Sequence, residues 1–245
     1  KEIKGYFSSW IAWILMAFFA LVFGWFFYSA TAYFVSRSMQ ATLMGGSFPM
    51  NMNEWIVRPV LMNVSVIGLF LIPMITMRLF AEEKRSGTIE LLMTSPVRDI
   101  EIILGKWWAA MLLYLSILAM SAVNVAVLFI VGQPDWRPVL VGYLGLILQG
   151  GTLLAISAFI STTTRNQIIA FIIACALGFA LILLGFPFIY QLLPAGELVS
   201  RFSPYSHFVS LYRGVLDLAD VVYYLTAIAF FLFLNIRSIE SRKWA

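Results

Sequence analysis

The sequence predicts an all-α polytopic membrane protein: six transmembrane helices, with a short cytoplasmic helix between spans two and three. Three observations lead there. Hydrophobic residues make up 62 % of the chain and charged ones 11 %, where an ordinary soluble domain carries about 25 % charged residues. The few charges are separated by gaps of membrane-crossing length. Lys and Arg are also distributed unevenly about those gaps.

The gaps define the spans. Lys4 to Arg37 encloses 32 uncharged residues, Arg58 to Arg78 encloses 19, Lys106 to Asp135 encloses 28, Arg137 to Arg165 encloses 27 and Arg165 to Glu197 encloses 31. A helix crossing the hydrocarbon core needs about 20 apolar residues, so these five meet or nearly meet the requirement. Asp220 to Arg237 encloses only 16, so this sixth span is expected to borrow from its ends or to sit in a thinned bilayer. The expected spans are residues 10–34, 59–77, 107–131, 138–159, 168–190 and 220–235. Each is expected to be helical, because an open strand would leave backbone groups unpaired in lipid. The whole of 1–245 reads as one membrane domain, with 1–9 as an interfacial N-terminal segment and 203–216 as an outer interfacial helix. Ser203 before Pro204 marks the start of that helix, and Phe208, Leu211, Tyr212 and Val215 are expected to form its apolar face.

Lys1 and Lys4 before an apolar run, with Ala30-Thr31-Ala32 beyond, have the outline of a cleaved signal. The run far exceeds the roughly 7–15 residues of a signal core and is read as the first span. The first residue is Lys rather than Met, so native residues are expected to precede this numbering. A single Cys (Cys175) and a single His (His207) exclude an internal disulfide, a cysteine metal cluster and two-histidine metal motifs within this sequence. The net charge of +4 is small and gives no reason to expect nucleic acid.

Six crossings put both termini on one side. With that side cytoplasmic, eleven Lys and Arg residues lie inside and five outside (Arg37, Arg58, Arg137, Arg201 and Arg213). This is the bias expected when cations stay inside. Aromatic residues fall at the expected boundaries, Trp107 and Trp108 at inner ends and Trp55 and Trp136 at outer ends.

Residues 78–101 form the one sizeable charged stretch. Span two is expected to continue into water as far as Arg85 and to break at Ser86-Gly87, since Gly costs about 1 kcal/mol in a helix interior. Thr88 is expected to cap a new helix whose Ile89, Leu92 and Met93 share an apolar edge. Pro96 stops that helix, and Asp99 is expected to cap span three with Glu101 in its first turn. An exposed apolar edge tends to mark a partner surface; the alternative is a loop folded against the bundle.

The run Glu82-Glu83-Lys84-Arg85-Ser86-Gly87-Thr88-Ile89-Glu90-Leu91-Leu92-Met93-Thr94-Ser95-Pro96-Val97 resembles the coupling-helix region of ABC-2 type transporter permeases. Ser203-Pro-Tyr-Ser-His-Phe, then Tyr212-Arg-Gly-Val-Leu-Asp217 and Asp220-Val-Val-Tyr-Tyr, is similar to the gliding-motility-associated branch of that family. The resemblance implies a multi-pass permease of the bacterial inner membrane with both termini cytoplasmic. Its partners would be a second permease chain, identical or paralogous, and two ABC ATPase subunits. Membrane lipids would surround it, and the branch adds a periplasmic auxiliary protein. ATP and Mg would sit on the ATPase, with no cofactor on this chain. Residues Glu82 through Pro96 would contact the ATPase, whose closure would push the helix at 88–94 and tilt spans two and three. A substrate would then leave the cytoplasm or the membrane. The alternative is a mechanotransmission or scaffold role for a periplasmic partner without substrate passage.

The chain is not expected to be an enzyme. It has no G-x-x-x-x-G-K-[ST] phosphate loop, and no His, carboxylate pair or activated Ser stands where an intramembrane enzyme needs one. The span interiors lack charge, which counts against a proton relay and suggests a lipid-like, amphipathic or weakly contacting polymeric cargo. Asn63 and Ser65 in span two are candidate pathway residues, beside the bland reading that such groups bond between helices. Pro73 in span two and Gly178, Gly185 and Pro187 in span five are candidate gating residues, because they soften helices. Gly150-Gly151 in span four is expected to allow close helix packing.

Overall fold

The computed structural model describes residues 10–43, 51–87, 98–192 and 195–241. Among these, all regular structure is helical. The chain runs through α1 (Trp10–Leu43), a π-helical turn (Asn53–Val57) feeding α2 (Arg58–Thr76), α3 (Ala81–Ser86) and α4 (Asp99–Val131). It continues with α5 (Trp136–Thr163), α6 (Gln167–Leu183), α7 (Pro187–Tyr190), α8 (Gly196–Ser200), α9 (Pro204–Tyr212) and α10 (Leu218–Glu240). Among the described residues, five stretches are long and apolar enough to cross a membrane: α1, Asn53–Arg85, α4, α5 and α10.

The expected lengths of the last two spans are reversed. α6 has 17 residues, about 25 Å at 1.5 Å per residue, where the expectation was a crossing over 168–190. Its helix ends at Leu183, and Phe186 is extended (φ −79°, ψ 131°) ahead of Pro187, because a residue before proline avoids the helical region. The helix expected to be short, α10, has 23 residues. It continues past Arg237, which pairs with Glu240 at 2.8 Å in the last turn. A gap between charges measures where charge stops, and neither end of a helix has to coincide with that.

Other ends also moved. α1 runs to Leu43 instead of stopping at residue 34. α4 takes Arg98 as its cap residue, with Asp99 one position inside, so Asp99 supports the helix dipole without capping it. α10 is capped by Asp217, whose carboxylate accepts the Ala219 N–H at 3.0 Å, which leaves Asp220 inside the first turn. Ser203 caps α9 as expected, accepting the Tyr205 N–H at 3.2 Å. Phe208 and Leu211 are buried, whereas Val215 lies beyond the end of α9 and is exposed.

α5 is the axis of the bundle. In the apolar window that could span a membrane, 72 % of its residues are buried, against 28 % for α1. Small residues make this possible. A Cβ on Gly150 would overlap the Tyr114 ring of α4, and one on Gly151 would lie 3.1 Å from Ile228 of α10. Because the backbones come close, side chains can reach the α5 main chain. Tyr114 Oη donates to Leu146 O at 3.1 Å, Trp107 Nε1 to Gly151 O at 3.2 Å and Asn235 Nδ2 to Ala155 O at 3.2 Å. α1 instead buries a single stripe, Ala12, Leu15, Met16, Phe19 and Phe23, and packs on α2 and α4.

Candidate functional site

The segment expected to meet a partner divides in two. Thr88, Ile89, Glu90, Leu91, Leu92, Met93, Thr94, Ser95 and Pro96 lie outside the described residues. Glu82, Glu83, Lys84, Arg85, Ser86 and Gly87 form α3 and its end, the base on which that segment is mounted. Gly87 stops α3 in the left-handed conformation (φ 73°), where glycine carries no steric penalty.

α3 is not a simple continuation of span two. α2 ends at Thr76, the chain turns over 77–80, and α3 restarts after Phe80. Phe80 cannot cap a helix, so the first N–H groups of α3 need an outside acceptor. Ser161, in the last turn of α5, supplies it. Its Oγ accepts the N–H of Phe80 at 3.2 Å and of Ala81 at 3.1 Å, and donates to Met77 O at 3.4 Å. One hydroxyl thus caps α3 across about eighty residues of sequence.

Charge completes the fastening. Lys106 of α4 is 3 % exposed, and its Nζ lies 2.6 Å from Glu83 Oε1 and 5.4 Å from the centre of the Phe80 ring. A buried ammonium is tolerated only with an opposite charge or comparable compensation, and Glu83 provides it. Lys84 Nζ donates to Thr162 O of α5, and Thr162 Oγ1 donates to Ser238 Oγ of α10 at 3.0 Å. Glu82 bonds back to Arg78 at 2.8 Å, while Glu82 and Arg85 face outward. The result is a polar knot in which α3 is tied to α4 and α5, and α5 to α10.

The candidate pathway and gating residues do not form one lining. Ser65 Oγ donates to Gln149 Oε1 of α5 at 2.9 Å, both residues being buried, so it joins helices. Asn63 is half-buried on α2. Pro73 and Gly178 both bear on Leu69. Pro73 lacks the N–H that would bond Leu69 O, and Cys175 of α6 offers its thiol to that carbonyl at 3.7 Å. Gly178 lets α6 approach there, where an added Cβ would be 3.3 Å from Leu69 Cδ2. Gly185 lies elsewhere, where a Cβ would come within 2.5 Å of Ser203 Oγ, and Pro187 opens α7. A groove of about 200 Å³ between α1 and α2 is lined by Leu15, Phe18, Val22, Ile67, Phe70, Leu71 and Met74, all apolar and none of them a candidate.

Sequence reasoning missed Ser161, Thr162, Ser238 and the burial of Lys106. One signal was present: the hydroxyl run Ser161-Thr162-Thr163-Thr164 directly before Arg165, which the expected end of span four at residue 159 excluded.

Apolar helices arranged around a buried axis, with a knot of buried polar and charged groups at one end, define a multi-pass membrane protein. The chain belongs to the ABC-2 transporter family: the family model described as ABC-2 family transporter protein matches residues 1–237. It is therefore a permease subunit of an ABC transporter. Such subunits generally work with ABC ATPase subunits and are not themselves the ATPase. A search of curated proteins gives no match.

Proposed function

We propose that this chain is the membrane permease of an ABC-2 exporter, driven through the segment that follows α3. In this reading it lies in a bacterial inner membrane with both termini cytoplasmic. α6 completes a sixth crossing by tilt or local thinning, and a second permease chain pairs with it. ATP and Mg bind to the partner ATPase, whose closure pushes on residues 88–96. The polar knot carries this reading, because a push at the end of α3 reaches α4 through Glu83–Lys106 and α5 through Ser161 and Lys84. Such fastening turns a local push into rigid-body motion of several spans. The apolar groove and the absence of charge within the spans favour a lipid-like or amphipathic cargo.

A second reading is transmission to a periplasmic partner without passage of substrate, the role implied by the gliding-motility-like C-terminal motif. It is favoured by the engagement of Ser65 with Gln149 and of Ser121 with Tyr143 (3.0 Å), which leaves those groups bonding helices.

The test is reconstitution of the chain with its co-purifying ATPase in lipid vesicles. Glu90→Ala, Leu91→Ala and Leu92→Ala together should abolish the response of ATP hydrolysis to the membrane subunit while the spans still insert. Retained coupling would overturn the assignment of the contact, and absence of any co-purifying ATPase would overturn the permease mechanism. Transfer of labelled lipid out of vesicles separates the first reading from the second.

A further inference from the structure

At the end of the bundle opposite the knot, the single histidine of the chain sits between two acceptors. His207 Nδ1 lies 2.7 Å from Asp220 Oδ1 of α10, and Nε2 lies 2.9 Å from the main-chain oxygen of Arg201. A neutral imidazole carries one N–H, so only the imidazolium donates to both at once. Asp220 agrees with this. It is 6 % exposed, and its Oδ2 is buried with no hydrogen-bond partner among the described residues. A carboxylate so placed needs a nearby positive charge. The dipole of the first turn of α10 supplies part of it, and a charged ring in contact supplies the rest.

We propose that His207 and Asp220 form a proton-sensitive latch holding the cap of the bundle, α9 and the turn before it, against the first turn of α10. With the ring protonated, both bonds form and the carboxylate is compensated. When the ring loses its proton, one of the two bonds loses its donor, and Asp220 faces a neutral partner. The latch is therefore complete while the ring is protonated and weakens when the ring gives up its proton.

The surroundings isolate this response to one residue. From α10, the ring is faced by Asp220, by Tyr223 stacked at 3.9 Å and by Tyr224 edge-on at 6.3 Å. On its own helix, Tyr205 stacks instead on Phe186, at 4.6 Å. α5 meets the cap through Gly145 against Phe208 and Leu211, and the end of α6 meets it through Gly185 against Ser203 and Ser206. Of the other charged residues of this end, Glu54, Asp135, Arg137, Glu197, Arg201, Arg213 and Asp217 are exposed, and the half-buried Arg58 pairs with Glu54 at 2.9 Å and donates to Arg213 O at 3.3 Å. Two further bonds, Tyr223 Oη to Phe202 O at 2.6 Å and Tyr224 Oη to Pro204 O at 2.5 Å, keep the cap seated when the latch opens. Loss of the proton therefore loosens the cap and does not detach it. That this end faces the cell exterior rests on the topology proposed above; the latch itself does not.

The test uses the full chain in lipid nanodiscs, without nucleotide or ATPase, so its outcome is separate from that of the permease reading. Hydrogen exchange of residues 201–212 is measured at two pH values flanking the histidine range, corrected for intrinsic rates and normalised to a peptide from α5. The expected result is about a tenfold loss of protection in the wild type on going to the alkaline condition, equivalent to about 1.4 kcal/mol. In His207→Gln the change should be less than about twofold, since no group titrates there. Asp220→Asn should flatten the response too, and serves if His207→Gln fails to fold. Nitrogen-15 labelling of histidine reads the ring directly, because the sequence holds one His. Two N–H signals at acidic pH, reduced to one as the cap loosens, support the latch. An equal pH response in wild type and both variants, or a cap unchanged while the ring loses its proton, overturns it.

Discussion

The two ends of the bundle are held by similar chemistry over very different sequence distances. At the knot, the bonds that reach from one helix region to another join residues 78 to 84 positions apart, apart from Glu83–Lys106 at 23 and Thr162–Ser238 at 76. At the cap, the polar bonds of His207, Tyr223 and Tyr224 span only 6 to 21 positions. The knot therefore fastens four separate helices to one another, and a displacement of any one is shared. The polar bonds of His207, Tyr223 and Tyr224 tie a single local segment to α10, one exposed bond from Arg58 to Arg213 O reaches the end of α9 from α2, and contact with α5 is made by Phe208 and Leu211. Hydrogen bonds demand defined angles and distances, whereas apolar contact is non-directional. The cap can thus shift over α5 while remaining attached to α10, and the knot cannot shift without breaking bonds.

Substitutions can break this contrast, and the largest effect belongs to the knot. Lys106→Met removes the ammonium 2.6 Å from Glu83 and should cost about 3 kcal/mol, the low end for one partner of a buried pair, because Glu83 keeps a quarter of its side chain exposed. Thermal unfolding in detergent measures this. The double variant Glu83→Gln/Lys106→Met should recover most of the loss, and a cycle showing simple additivity would mean that the pair is not a unit.

Next is Ser161→Ala, which removes the acceptor of two N–H groups at the start of α3. A loss of about 1–2 kcal/mol is expected, with faster hydrogen exchange confined to residues 77–87. Exchange that rises equally at the cap would remove the distinction between the two ends.

At the cap, Tyr224→Phe deletes one bond to Pro204 O in a fully buried site and should cost about 1 kcal/mol. Its effect should appear in residues 201–212 and leave the knot unchanged. The smallest change is expected midway between the ends. Ser65→Ala removes the bond to Gln149 and should cost about 0.6 kcal/mol, the average for such contacts in membranes. A much larger loss, or a loss of transport at unchanged stability, would return Ser65 to the pathway.

Much of this architecture was legible in the residues. The gaps between charges located α1, α2, α4 and α5 to within a few residues at most ends, although α1 extends well past its expected stop. Ser203-Pro204 announced α9, Gly87 announced the end of α3, and Gly150-Gly151 announced a close crossing. Each of these signals is local: a cap, a turn or a small residue acts within one or two helical turns. The break of α6 at Gly185-Phe186-Pro187 was also written in the sequence, but an uncharged run of 31 residues outweighed it.

The candidate site was legible only as a charged segment. That Ser161 caps α3, that Lys106 is buried against Glu83, and that the lone histidine has an aspartate partner could not be read from spacing. Each depends on which helices are neighbours, and an apolar helix with many similar faces does not announce its neighbour. Hydropathy and charge therefore determined that this chain lives in a bilayer and roughly where it crosses. Only the packing of α5 against α2, α4 and α10 decided which polar groups meet, because a hydrogen bond acts over about 3 Å and the chain must fold before residues eighty apart come that close.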